Sequence, residues 1–128
     1  MRAAFGLAAT LLATAGWANG TWRVTQETAA EVVAIDVASF ERTAGGVRFR
    51  ERHTLRGGQT DPHTLRVLRE VLAKRVIDCR RRRIATLSRA VFDTDDALIG
   101  HQAVRLQQAV WQPVRRGEAV FRLACGPS

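Results

Sequence analysis

Hydrophobic and polar positions along this chain open on one continuous apolar run and then settle into short alternations. Residues Ala3 to Ala15 are predominantly apolar behind the single charge of Arg2, and Ala15-Gly16-Trp17-Ala18 follows. A charged end, a short hydrophobic core and an A-x-A-like site are the layout of a secretory signal peptide. The run falls short of the about 20 apolar residues that a transmembrane helix needs. The expected division is therefore a signal peptide over residues 1–18, cut after Ala18 with Ala15 as the alternative, and a single domain over 19–128. Asn19, not cysteine, stands after the expected cut, so no lipid attachment is expected.

Beyond the run, the pattern predicts mostly strands. Thr21 to Thr25 and Glu31 to Asp36 carry the β-branched and aromatic residues that strands favour. Val37 to Arg42 reads as a helical turn or tight loop, and Ala44-Gly45-Gly46 as a hairpin. From Val47 to Leu55 the chain alternates. Val47 and Phe49 fall on one face and Arg48, Arg50 and Arg52 on the other, a half-buried antiparallel strand with an arginine-rich outer side. Arg56 to Pro62 is a loop. Thr64 to Ala73 is ambiguous: Leu65, Leu68 and Leu72 fit helical spacing, but a strand running into Arg75-Val76-Ile77-Asp78-Cys79 fits equally. Arg75 to Phe92 reads as one or two strands around Arg80–Arg83, Asp93 to Asp96 as a turn, and Val104 to Val110 as the last strand. Gly117 to Cys125 reads as a short amphipathic helix burying Val120, Leu123 and Ala124, stopped by Gly126-Pro127. The class is α+β: a small antiparallel sheet with a C-terminal helix.

The domain left after the expected cut has room for one core only. Its two cysteines, Cys79 and Cys125, admit a single intramolecular pairing. An even count in an exported small domain argues for one disulfide, with two free thiols as the alternative. The bond would add about 4 kcal/mol in the chain-entropy picture, and would pin the terminal helix to the sheet. The whole chain carries +8, and removing Arg2 leaves +7. All but one of its 20 basic residues are arginine, the exception being Lys74. Such a surface attracts polyanions. Export leaves nucleic acid outside the expected partners, so an acidic polymer or protein partner remains.

Candidate chemistry is sparse. Arg48, Arg50 and Arg52, together with Arg81 and Arg83, are the candidate binding residues, because guanidinium groups clamp sulfate, phosphate or carboxylate bidentately. Within a strand, Arg80 and Arg82 would face one way and Arg81 and Arg83 the other. The competing reading is a solvated face that protects strand edges. Asp78 is expected to hold a backbone amide or an arginine, and Asp36 to end a strand. His53, His63 and His101 show no metal-site spacing. His53 and His63 flank one loop and could approach each other, which makes a haem-type small-ligand protein one alternative, an envelope structural protein of unknown partner being the other. Asp93, Asp95 and Asp96 lack the glycine and distal glutamate of a calcium loop. Trp22 and Trp111 are expected in the core. No G-x-S-x-G motif, glycine-rich phosphate loop or paired-carboxylate constellation is present, and the residues specify no cofactor, no metal and no enzyme.

In order along the chain come Trp22, Ile35-Asp36, Val47-Arg48-Phe49, Ile77-Asp78-Cys79 followed by basic residues, Trp111-Gln112-Pro113-Val114 and Cys125. That order, behind a signal peptide, resembles the surface-adhesin protein E family over about Trp22 to Cys125. The resemblance implies a sheet of about six antiparallel strands with a helix tethered across it by a Cys79–Cys125 disulfide. It also implies a non-enzymatic binding protein of the periplasm or cell surface, with host or matrix-type partners, a dimeric form and a link to haem. This chain departs from the pattern in lacking the lipid-bearing cysteine and any segment matching the adhesin's ligand-binding region.

Overall fold

The computed structural model describes residues 21–126. The expected signal peptide, its cleavage site and the start at Asn19 lie outside the described residues. Six strands follow one another as a meander: β1 (Trp22–Glu27), β2 (Glu31–Thr43), β3 (Gly46–Leu55), β4 (Leu68–Asp78), β5 (Arg83–Asp93) and β6 (Leu98–Ala103). All neighbours are antiparallel, in the order β1-β2-β3-β4-β5-β6, and a two-residue strand β7 (Gln112–Pro113) pairs with the start of β5. Among the described residues one α-helix follows, α1 (Ala119–Cys125). The expected α+β class is the observed one.

The register assigns each residue to a face. Ile35, Glu51 and Ala73 lie side by side across β2, β3 and β4, as do Asp36, Arg50 and Lys74. These rows point to opposite sides because side chains alternate along a strand. The first face carries the main core. Ile35, Val47, Phe49, Ile77 and Ile84 pack there with Val114 and with Phe121 and Ala124 of α1. The helix therefore buries Phe121 and Ala124, while Val120 and Leu123, expected on the buried side, are half-buried. Seven residues are too few to hold a helix in isolation. The Cys79–Cys125 disulfide, with Cα atoms 5.7 Å apart, fastens its last residue just beyond the end of β4.

The second face is concave. Trp22 of β1 and His101 of β6 belong to strands at opposite edges of the meander, yet both line one cavity of about 260 Å³. The sheet must curl to bring them there. Register shifts interrupt four of the five pairings between β1 and β6, and bulges of this kind strengthen twist and bend strands.

Several expectations are corrected. Val37–Arg42 is neither helix nor loop. It continues β2 through a wide irregularity between Asp36 and Glu41. Ser39 stabilises it by donating to the Asp36 carbonyl at 2.6 Å and accepting the Arg50 amide at 2.8 Å, while Phe40 meets Phe49 edge-on at 5.8 Å. The ambiguous segment resolves as strand β4. Leu65 lies outside it, exposed in a turn with φ +60°. Val104–Val110 is not a strand but an arch containing a 3₁₀ turn at Leu106–Gln108. Beyond β6 the chain parts from the edge of β5 once the Val104 amide has donated to the Leu87 carbonyl, and the Leu106 side chain lies near Gly45 of the β2–β3 hairpin.

Candidate functional site

The concave face is built from rows of cross-strand neighbours. One row runs Trp22, Asp36, Arg50, Lys74, Ser88, Ala103, and the next Val24, Ala34, Arg52, Leu72, Ala90, His101. Long side chains on β3 and β4 thus face small ones on β5, and the difference in height opens a trough. Its larger part, about 640 Å³, is bounded by Arg48, Arg50, Lys74, His101 and, from the arch, Arg105. Glu41 is the acidic residue on this wall. The adjoining part, of about 260 Å³, is lined by Trp22, Leu72 and Ala90, and shares Arg50, Lys74, Ser88 and His101 with the larger one.

The cations of the trough are not equivalent. Arg50 pairs with the buried Asp36. Burial disfavours the Asp36 charge, but Arg50, the Thr21 side chain and the backbone amide of Ala38, 3.1 Å away, outweigh it and hold the carboxyl below its ordinary value. Arg50 and Arg52 also cover the Trp22 ring, with guanidinium carbons 5.9 and 4.3 Å from its centre, cation–π contacts that keep both heads over the face. Arg48, Lys74 and Arg105 have no ion-pair partner among the described residues.

Arg48, Arg50 and Arg52 thus share one face, as their alternation predicts. Arg81 and Arg83 do not extend it in the expected way. Arg80–Arg82 form the tight turn between β4 and β5, with Arg82 at φ +52°, so the run has no strand alternation. Asp78 organises this turn. Its carboxylate accepts the Arg81 amide at 3.1 Å and lies 3.5 Å from both the Arg81 and Arg83 guanidinium groups. That is the structural role expected of Asp78. Arg83 stacks on Trp111 at 4.3 Å. Neither Trp22 nor Trp111 joins the core as expected. Each is half-buried beneath an arginine, a placement that hydrophobicity alone does not reveal.

The histidines separate. His53 lies on the opposite face, where its Nδ1 meets Glu31 at 3.1 Å and its Nε2 meets Glu51 at 2.7 Å. Both ring nitrogens are therefore engaged, and neither presents a free lone pair. The hydrogen bond to Glu51 raises the His53 pKa above its ordinary value; burial opposes this and Glu31 adds to it. Glu51 is itself buried and also binds Arg75 at 3.2 Å. Burial disfavours its charge, but His53 and Arg75 win, and its pKa is lowered. His63 sits in the exposed loop, its amide held by Asp61 at 3.1 Å. His101, which no sequence spacing singled out, is the histidine of the trough. Only the pairing register of β6 places it there. Among the described residues, no cluster of His, Cys, Asp and Glu suits a metal ion. The Asp93 turn is a plain one: the Asp93 carboxylate accepts the Asp95 and Ala97 amides and pairs with Arg66.

A curled antiparallel meander with a basic trough on one side and a disulfide-tethered helix on the other defines a small α+β domain. The chain belongs to the surface-adhesin protein E family, whose model matches residues 22–126, nearly its whole length. No match was found among curated proteins or among solved structures. Membership of an adhesin family implies a non-enzymatic protein, and with the disulfide it agrees with export. No helix among the described residues is long and apolar enough to cross a membrane.

Proposed function

We propose that this is an exported, non-enzymatic interaction protein, with residues 1–18 as its signal peptide, that captures acidic partners on its concave face. One observation carries the reading: Arg48, Lys74 and Arg105, without ion-pair partners among the described residues, converge on a trough of about 640 Å³. A concave wall of one charge sign focuses the field and raises encounter rates with anions. The arginines then hold sulfate or carboxylate groups through paired hydrogen bonds. Arg50 and Arg52 act from fixed positions over Trp22. Arg81 and Arg83, engaged with Asp78, contribute less. The partner is an acidic polymer or an acidic protein surface, met in the periplasm or at the cell surface.

Retention on immobilised heparin, a sulfated polysaccharide, tests this. Elution should shift strongly with salt, and Arg48→Ala with Arg105→Ala should elute earlier than Arg81→Ala with Arg83→Ala, which removes the same charge elsewhere. Salt-independent retention, or equal loss from both pairs, would refute capture at the trough.

A further inference from the structure

The trough has two compartments of different chemistry, and a polymer of charges alone would use only one. The wider compartment offers cations: Arg48, Lys74 and Arg105. The narrower offers apolar walls: Trp22, Leu72 and Ala90. They are continuous through Arg50, Lys74, Ser88 and His101, which line both. Leu72 and Ala90 are direct cross-strand neighbours on the concave face, and both remain partly accessible. Helix α1 buries the core of the other face, so it does not cover them. An apolar floor opening directly onto unpaired cations is complementary to a ligand that is itself divided into ring and acid.

Size narrows the class. A cavity of roughly 150 Å³ holds one benzene ring. At about 260 Å³ the apolar compartment has room for a fused two-ring group. Trp22 lines this compartment with Arg50 and Arg52 over its ring, and an indole beside flat guanidinium planes favours a flat aromatic body over a flexible chain. We propose that the concave cleft binds a small aromatic anion, its sulfonate or carboxylate held by Arg48, Lys74 and Arg105 and its rings seated against Trp22, Leu72 and Ala90. This rests on the reading of the trough as an anion site and names the ligand class for it.

The probe is 1-naphthalenesulfonate, titrated calorimetrically into the full domain beside inorganic sulfate and the neutral 1-naphthalenemethanol. Naphthalenesulfonate should bind about tenfold more tightly than either, since a buried ring and a paired acid each add on that scale. Ala90→Leu fills the apolar compartment and should erase the advantage over sulfate. Leu72→Ala, which removes wall without adding bulk, should weaken naphthalenesulfonate alone and serves if Ala90→Leu does not fold. Equal affinity for naphthalenesulfonate and sulfate, equal affinity for the neutral alcohol, or indifference to both variants would overturn the proposal. A parent domain that heparin does not retain but that still binds naphthalenesulfonate would refute polymer capture and leave the small-ligand site standing.

Discussion

Replacing both Cys79 and Cys125 by serine isolates what the disulfide does for the fold. The bond joins positions 46 residues apart. Closing a loop of that length removes chain entropy from the unfolded state worth about 4 kcal/mol at 25 °C. The folded side adds a local argument. Helix α1 has seven residues, well below the length at which a helix persists in water. It is held by packing of Phe121 and Ala124 on the core and by the bond at its last residue. The double variant should therefore lose about 4 kcal/mol in urea unfolding and some 20 °C in Tm. A second readout separates global from local loss. Arg115 and Arg116 lie just before α1 in exposed chain. Fraying of the helix should make them preferred trypsin sites under native conditions, with the sheet surviving as the larger fragment. A loss below about 1 kcal/mol with unchanged proteolysis would show that Phe121 anchors the helix unaided, and the account of the disulfide as its fastening would be wrong.

Three further outcomes follow from particular contacts. The pKa of His53 is raised in the folded state, so its contribution is fully present below the ordinary value of 6.5 and is lost as pH rises through the raised one. Glu51 is lowered, so its contribution is present above its ordinary 4.5 and is lost as pH falls through the folded value. Urea midpoints measured across pH should thus decline on the alkaline side, and His53→Gln should flatten that arm; an unchanged arm in the variant would refute the assignment. At the β2–β3 hairpin, a Cβ on Gly46 would stand 2.4 Å from the Ile77 carbonyl oxygen, at φ +134°, whereas one on Gly45 meets only the movable end of Leu106. Gly46→Ala should cost about 2 kcal/mol or more and Gly45→Ala clearly less; equal costs in thermal unfolding would count against the described hairpin. Arg50→Ala leaves the buried Asp36 without its cation, with only Thr21 and the Ala38 amide as partners, which should cost about 1–3 kcal/mol. Adding Asp36→Asn should recover part of that loss, and a double variant no more stable than the single would contradict the pairing.

Where a residue's role depends on period, the sequence was legible. The alternation of Val47 to Phe49 against Arg48 and Arg50 gave β3 its faces, because a period of two has no other reading once the hairpin glycines fix its start. The disulfide, the helix and the turn at Asp93 were legible for similarly local reasons. The failures are tertiary. Val37 to Arg42 reads as a break because Asp36, Ala38 and Ser39 are poor strand residues, and the Ser39 bridge to Arg50 that keeps them in β2 joins residues eleven apart. Val104 to Val110 is β-prone, yet becomes an arch because β6 holds Ser88–Phe92 and β7 holds Arg83–Ile84 along the same edge of β5, leaving too short a stretch between them for another strand. The trough was half legible. Its arginines on β3 announced themselves, but Lys74 and His101 belong to it through the pairing registers of β4 and β6, and Arg105 through the arch, none of which a local pattern encodes.

The distribution of acids explains why the surplus of positive charge is not spread evenly. Of the 12 acidic residues, Asp36, Glu51 and Asp93 are buried, and each binds an arginine from another part of the chain: Arg50, Arg75 and Arg66. Asp78 serves Arg81 and Arg83. Glu27 and Asp96 meet Arg56 and Arg69 near the ends of strands. Others order the backbone, as Asp61 does in the loop before β4 and Glu118 before α1. These acids stabilise turns, strand ends and the helix start, and in doing so neutralise the arginines beside them. Along the trough wall, Glu41 is the one acid facing Arg48, Lys74, Arg105 and the already paired Arg50. Low local dielectric strengthens whatever charge imbalance a concavity retains. A basic composition by itself predicts diffuse attraction to any polyanion. Because Glu41 is the one acid lining the trough and Asp36 is already matched by Arg50, the diffuse excess becomes a located field there, directed at the apolar shelf of Trp22, Leu72 and Ala90.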